Sequence, residues 1–594
     1  MEKTGTLNQL FFRDIASRQT ERLLTWNGPD GPVTYSNERF VRSVLALQAF
    51  LRGRGLDPQG ERVAIFSPNR PEWHVADFAV LLARHVVVPI YPTLSPAQVE
   101  YLLRDSGSRV IVLAGIREWE LLQPLLPRLP QLRWFVHLDR ASAGSAEDGH
   151  VSLEHLAAAL EGDTATVLEQ ARQECLATEP SEVATIVYTS GTTASPKGVL
   201  LTHGNIAFDL DECLDRLSFR GARQSLSVLP LAHVFERILC YGYFRMGIPI
   251  AYGDPHALRE LLPLHRPEVM GCVPRILEKM RDAIERQIEE LPRWKRRIGK
   301  RLLRERSVEE PPGLLDRLAA GQVRRQLGGL RYFICGGAWL NPAVEAFFRS
   351  AEFRILQGYG MTETSPVIAL SELDRFKPGS VGRPLDHIEL RIAADGEIET
   401  RGPHVMRGYY NDSGPPPFRD GWLATGDLGR LDEDGFLFVT GRKKDMLVLS
   451  NGKKVFSAEL EKSLARSRLI QDVFVIGEGR NYVAAVIVPD EENLARAIRE
   501  QNIRSSPPDL LSPAVVALFR EEVERNQASF SNFERVKRFC FLPEQALLDP
   551  ELITPTQKMR RRALEEKFRD AIVRVYESPE PFLIPVVPGP PSAR

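Results

Sequence analysis

Three short runs, Val63-Ala64-Ile65-Phe66, Val86-Val87-Val88-Pro89-Ile90 and Val110-Ile111-Val112-Leu113, are apolar at every position and alternate with helix-like stretches at 37–51 and 95–105. A strand without a polar face is buried on both sides, which a sheet achieves when crossover helices cover both of its faces. The rhythm therefore predicts a large α/β body. It resumes at 224–229 and 329–334 and continues to about residue 400. At 594 residues the chain is too long for one core, and several domains are expected.

A fourth buried-type strand, Val183-Ala184-Thr185-Ile186-Val187-Tyr188, ends in Thr189-Ser190-Gly191-Thr192-Thr193-Ala194-Ser195-Pro196-Lys197-Gly198. Small residues let backbone N–H groups turn towards an anion, hydroxyls add donors, and Lys197 brings a point charge. The composition suits a nucleotide's phosphates. It is not a Walker loop: Pro196 takes the second glycine position and Gly198 the position of the magnesium-binding hydroxyl. The alternative is a polar surface turn without a ligand.

Charge and cysteine usage narrow the function further. The 77 Lys+Arg nearly cancel the 78 Asp+Glu, so no global basic field argues for nucleic acid. The six cysteines form no C-x-x-C pair, which disfavours zinc and a disulfide framework and suits a reducing cytoplasm. No secretory signal is legible at the N-terminus, and the apolar stretch at 238–253 is broken by Arg245 and Pro249. The helical region at about 275–327 gathers Arg293, Lys295, Arg296, Arg297, Lys300, Arg301 and Arg304 around Trp294. It is either a basic surface for an anionic membrane at the inner face or a solvated insertion balanced by Glu278, Glu285, Glu289 and Glu290. The division expected is a large domain at 1–441, a smaller one at 442–576 and a proline-rich, disordered tail at 577–594.

Further motifs repeat the logic of the first loop. Gln357-Gly358-Tyr359-Gly360-Met361-Thr362-Glu363-Thr364 combines close-approach glycines, an aromatic ring, a hydroxyl and a carboxylate. Thr362 suits a phosphate oxygen and Glu363 a magnesium ion, which prefers oxygen ligands. Gly336-Gly337-Ala338 leaves bare backbone for a flat purine, or forms a plain tight turn. Asp427, in Trp422-Leu423-Ala424-Thr425-Gly426-Asp427, is placed after a turn, where a carboxylate can accept two ribose hydroxyls. Gly441-Arg442-Lys443-Lys444-Asp445 marks the domain boundary.

Taken in chain order, the phosphate loop at 189–198, the Y-G-x-T-E loop, T-G-D and G-R-K-K-D resemble the adenylate-forming superfamily of acyl-CoA synthetases, adenylation domains and luciferases, over roughly residues 10 to 575. The segments at 229–237, 273–279 and 553–561 look like its long-chain fatty acyl-CoA synthetase branch. The resemblance implies an α/β fold, with a large N-terminal domain of mixed and doubly wound α/β sheets and a smaller mobile α+β C-terminal domain. It implies ATP-dependent conversion of a fatty acid to acyl-AMP and then to acyl-CoA, with ATP and CoA as substrates and Mg²⁺ as cofactor. It places Lys197 and the loop around it on the leaving phosphates, Thr362 on the α-phosphate, Glu363 on magnesium, Tyr359 on adenine, and Asp427 and Arg442 on ribose. Lys444 aligns with a hinge, the Gly452 loop with CoA, His233 with the acyl end, and Lys558 with a mobile catalytic cation. Phe235, Ile238, Leu239, Tyr241 and Phe244 are candidates for an acyl tunnel or for an ordinary buried helix face. Ala194, where the family commonly has glycine, and the segment 413–417 depart from its pattern. Two rival functions are an acyl-AMP ligase serving a carrier protein and a catalytically silent lipid- or nucleotide-binding protein.

Overall fold

The computed structural model describes residues 3–584 except 30, 55, 57–59, 140–148, 190–195, 218, 220, 300–312, 374, 413–417, 502–508, 550–551, 553–560 and 579. Two compact units emerge. The first holds Met1–Arg391, Glu399–Ala424 and Leu431–Phe438; the second holds Ile392–Ile398, Thr425–Arg430 and Val439–Arg594. Strands Glu397–Arg401 and Trp422–Leu431 are neighbours in a five-stranded sheet.

The predicted α/β rhythm is realised in the first unit. Strands Arg62–Phe66, Val86–Ile90 and Val110–Leu113 lie side by side and parallel, and Val87 pairs with Thr185 of strand Val183–Thr189. This eight-stranded sheet has the antiparallel Lys197–Thr202 next to Val183–Thr189, and beyond it Gly408–Tyr410 at the edge. Helix Asn37–Arg52 begins at a Ser36 side chain that accepts from the Arg39 N–H, and it buries Phe40, Val44, Leu47 and Leu51 at helical spacing.

A second, nine-stranded sheet carries Ser225–Ser227, Val269–Cys272, Tyr332–Cys335 and Arg354–Tyr359 in parallel, with Ile250–Tyr252 and then Leu24–Gly28 continuing it on the other side. Strands 225–227 and 332–335 are shorter than the runs at 224–229 and 329–334. Pro230 and the paired glycines Gly328-Gly329, both at positive φ, bound them.

Helix Pro71–Leu82 and helix Val234–Met246 meet in a buried polar network. Asp77 accepts from Arg237 Nε at 3.2 Å and from the Tyr241 hydroxyl at 2.6 Å, while Arg237 also donates to Thr185 Oγ1 at 2.9 Å. Thr185 donates in turn to the Val87 carbonyl at 2.7 Å. One guanidinium thus ties two helices to the strand that leads into the candidate phosphate loop.

The 275–327 region contains helices Pro274–Glu290, Arg293–Gly299 and Leu314–Gln326, and Trp294 is 65% exposed. Among the described residues no helix is long and apolar enough to cross a membrane.

The second unit packs strands Ile470–Ile476, Val483–Pro489 and Val536–Phe541 against helices at 457–464, 513–526 and 569–577. Here the tail expectation needs correcting. Phe582 and Ile584 are buried, and the Phe541 N–H donates to the Phe582 carbonyl at 2.9 Å while the Ile584 N–H donates to that of Phe541 at 2.8 Å. Two apolar residues at strand spacing add a rung to the sheet, a signal hidden by the prolines around them. Residues 585–594 lie outside the described part.

Candidate active site

The candidate phosphate segment, 189–198, joins two antiparallel strands. Thr189 stands opposite Lys197 and Tyr188 opposite Gly198 in antiparallel register, so Lys197 opens a strand where a Walker lysine would open a helix. An added Cβ at Gly198 would lie 2.7 Å from Ile186 Cγ2, which explains the glycine. Tyr101 donates to the Pro196 carbonyl at 3.1 Å, and Tyr188 to Asp105 Oδ2 at 2.6 Å, holding the base of the hairpin. Ser190, Gly191, Thr192, Thr193 and Ala194 lie outside the described residues.

Strand Gly408–Tyr410 brings a second motif to this lysine. Tyr409 pairs with Val199 and Tyr410 with Gly198, which sets Asp412 beside Lys197: Nζ stands 2.6 Å from Oδ2 and 5.0 Å from the centre of the Tyr409 ring. The Tyr409 hydroxyl donates to Glu363 Oε1 at 2.9 Å, and the Met406 N–H donates to the Glu363 carbonyl at 2.8 Å. Burial first, and then the Glu363 carboxylate, pushes the Tyr409 hydroxyl far above its ordinary range, so it stays a donor. The hairpin lysine and the candidate magnesium ligand are thereby joined through one short strand. Sequence reading missed Tyr409 and Asp412, whose signal was only an aromatic pair and an acid 215 positions from Lys197.

The Thr362-Glu363 loop leaves strand Arg354–Tyr359 through a turn that Thr364 closes, with its hydroxyl accepting from the Met361 N–H at 3.0 Å. Gly360 is obligatory, because a Cβ there would lie 1.8 Å from the Pro366 carbonyl oxygen. Gln357 has a structural partner, donating to the buried Glu345 at 2.9 Å. Gly358 and Tyr359 pair with Leu370 and Ala369, and Tyr359 is half-buried. Thr362 and Glu363 are buried. No group of three or more His, Cys, Asp or Glu among the described residues could hold a metal. A lone carboxylate fits magnesium, which keeps water and takes substrate oxygens for its remaining positions.

Next to this loop, buried Gly336 lies between Phe235 and the Gly358 carbonyl: its added Cβ would stand 3.3 Å from the Phe235 ring and 3.4 Å from that oxygen. Gly337, at φ +79°, and Ala338 are exposed. His233 caps helix Val234–Met246, its Nδ1 accepting from the Phe235 N–H at 3.1 Å. This fixes the proton of the neutral ring on Nε2. Asn69 clamps the approach to His233: its Oδ1 accepts from the Leu231 N–H at 3.0 Å and its Nδ2 donates to the Leu229 carbonyl at 2.6 Å. Asn69 gave no motif signal. Beyond His233 the helix divides its side chains. Ile238, Tyr241 and Phe244 pack into the main core, with Phe244 stacked on Phe40, whereas Phe235 and Leu239 face Gly336 and Gly271.

In the second unit Asp427 lies inside strand Trp422–Leu431 and not after a turn, because Gly426 takes φ +73° without ending the strand. Arg442 Nε stands 3.1 Å from Asp427 Oδ1, and Asp427 N–H donates to Thr425 Oγ1 at 3.1 Å. Lys444 and Gly452 are exposed; Gly452, at φ +77°, turns the hairpin between Met446–Val448 and Lys454–Phe456. Lys558 lies outside the described residues. Arg561, three positions on, donates to the Val475 carbonyl at 2.5 Å and pairs with Glu461, whose carboxyl burial pushes up to about 7 despite that guanidinium.

Comparison with known proteins identifies the family of the chain. Residues 12–410 match the AMP-binding enzyme family, and residues 444–580 match the AMP-binding enzyme C-terminal domain. Long-chain-fatty-acid–CoA ligase FadD15 of Mycobacterium bovis is 34% identical over 542 residues, 87% of this chain and 88% of that protein. Long chain acyl-CoA synthetase 1 of Arabidopsis thaliana is 28% identical over 618 residues, 95% of this chain and 92% of that one. The crystal structure of the anthranilate CoA ligase AuaEII in complex with anthranoyl-AMP shares the fold, with a TM-score of 0.71 at 19% identity and coverage of 96% and 99%. With a family match across most of its length and curated relatives of one kind, the chain belongs to the AMP-binding, adenylate-forming enzymes, in their long-chain acyl-CoA synthetase branch.

Proposed function

We propose that this chain joins a long-chain fatty acid to CoA in two steps. The carboxylate attacks the α-phosphorus of ATP, forming acyl-AMP and expelling pyrophosphate. The CoA thiol then attacks the acyl carbon, forming the thioester and releasing AMP and a proton. The observation that carries this reading is the Lys197–Tyr409–Glu363 arrangement, a cation and a carboxylate fixed by one strand beside a phosphate-type hairpin.

In this reading Lys197 binds the β- and γ-phosphates with Thr189, Ser190, Gly191, Thr192 and Thr193, and Thr362 binds the α-phosphate. Glu363 holds Mg²⁺, which when bound neutralises triphosphate charge. Purine lies on Gly336, Gly337 and Ala338 with Tyr359 against it, beside the Gln357, Gly358 and Gly360 backbone. Asp427 and Arg442 take the ribose. His233, donating through Nε2–H, faces a carboxylate or acyl oxygen, and Phe235 stands where acyl and purine sites adjoin. Lys558 supplies the mobile cation of the first step, the second unit turns about Lys444, and the Gly452 loop serves CoA. The exposed Trp294 with Arg293, Arg296 and Arg297 forms a peripheral contact with anionic lipid.

The test is incubation of the purified protein with ATP, magnesium and acids of graded length, with and without CoA, and product identification by mass. Acyl-CoA from long acids is expected. Acyl-AMP that persists despite CoA means a ligase for carrier proteins, and no turnover means a silent binder. Lys558→Ala should abolish acyl-AMP formation and leave thioester formation from supplied acyl-AMP largely intact; equal loss of both steps removes the assigned role. Failure to co-sediment with anionic liposomes at low salt removes the lipid contact.

A further inference from the structure

The Lys197 ammonium, assigned above to the leaving phosphates, is held by a carboxylate of its own chain. Asp412 Oδ2 stands 2.6 Å from Nζ, with the two side chains 21% and 34% exposed. The pairing is built in. Strand Gly408–Tyr410 ends opposite Gly198, so the backbone ladder places Asp412 next to the first residue of strand Lys197–Thr202. The Tyr409 ring supports the same ammonium at 5.0 Å. A negative charge so near the lysine opposes the arrival of a second anion: either the ammonium leaves the carboxylate, or phosphate and carboxylate share it at the cost of their repulsion.

We propose that Asp412 is a positioning residue that holds Lys197 when phosphate is absent, weakens the grip on ATP, and takes the lysine back as pyrophosphate departs. The inference rests on the nucleotide reading above. It predicts selectivity among ligands. ATP and pyrophosphate carry the phosphates that compete for Lys197, whereas AMP does not.

The test is equilibrium binding of MgATP, magnesium pyrophosphate and AMP to full-length wild type, Asp412→Asn, Lys197→Gln and the double variant, without fatty acid. Asp412→Asn should bind MgATP and pyrophosphate about three- to ten-fold more tightly, the change expected from removing one partly exposed ion-pair competitor. AMP affinity should not move, which also shows that the variant is folded. In the Lys197→Gln background the gain should disappear, because it acts through that ammonium. Unchanged or weaker ATP binding by Asp412→Asn overturns the proposal, as does an equal change for AMP or a full gain without Lys197. Wild type that binds neither ATP nor AMP overturns the nucleotide reading and this inference with it.

Discussion

Replacing Asp77 by alanine is expected to cost the first unit about 3–5 kcal/mol, the range for leaving a buried charge without its partner. The surroundings set the size of the effect. The Arg237 side chain is 2% exposed and that of Asp77 0%, so water cannot take over the vacated contacts. The guanidinium would keep only Thr185, at 2.9 Å, and Tyr241, at 2.8 Å. Taking both charges out of water offsets much of what they gain from each other, so apolar groups of similar volume hold such a site about as well. The combined change Asp77→Leu, Arg237→Met and Tyr241→Phe, which removes every charge together, should therefore recover most of the loss. Guanidinium titration followed by tryptophan fluorescence suits this site, because Trp73 lies 5.6 Å from the Arg237 guanidinium. At a slope of about 4 kcal/mol/M the single variant should unfold about 1 M earlier and the triple variant within about 0.3 M of wild type. A single variant that matches wild type, or a triple variant no better than the single, refutes the reasoning.

Glu236 has both carboxylate oxygens buried without a hydrogen bond of normal geometry, and burial pushes its carboxyl from 4.5 up to about 8. Because the folded value is the higher one, its contribution is fully present below about pH 4.5 and is lost as pH rises to about 8. Glu236→Gln should add about 3 kcal/mol at pH 7 and almost nothing at pH 4, as read from denaturation curves at several pH values; parallel pH profiles would sink this. Gly360→Ala should halt ATP–pyrophosphate exchange and destabilise the first unit, since its methyl would sit 1.8 Å from the Pro366 oxygen; a variant with normal exchange contradicts that geometry. Tyr409→Phe should raise the magnesium and MgATP concentrations needed for half-maximal adenylation about ten-fold, the worth of a hydrogen bond to a charged group, and lower the unfolding midpoint modestly because buried Glu363 loses a donor. An unchanged magnesium titration would show that Tyr409 does not act through Glu363.

Much of the scaffold was legible because periodicity is local. The runs at 63–66, 86–90 and 110–113 need only their own residues to declare two-sided burial, and all became neighbouring parallel strands. The motif glycines were legible too, although sequence could not say why each was needed; Gly360 answers to a carbonyl that follows the loop and Gly336 to a ring on another helix. What escaped depends on distant partners. Asp412 means nothing until strand Gly408–Tyr410 places it at Lys197, and Asn69 is an ordinary loop residue until it grips Leu229 and Leu231. Asp427 looked like a turn residue because Gly426 precedes it, and only strand pairing shows that the backbone runs straight through. Phe582 and Ile584 were masked by composition, since two apolar residues among prolines do not establish a period.

Both large sheets of the first unit join strands from far apart along the chain, Leu24–Gly28 beside Ile250–Tyr252 and Gly408–Tyr410 beside Lys197–Thr202. During synthesis, therefore, the edge that carries Lys197 stays unpaired until residue 410 leaves the ribosome. At about 5–20 residues per second that wait lasts about 10–40 s. An open edge invites pairing with other chains, so the nascent protein is most exposed to aggregation in this interval, when chaperones have the most to do. The strand that ends it also delivers Tyr409, so the sheet edge is sealed and the proposed phosphate end assembled in one late event.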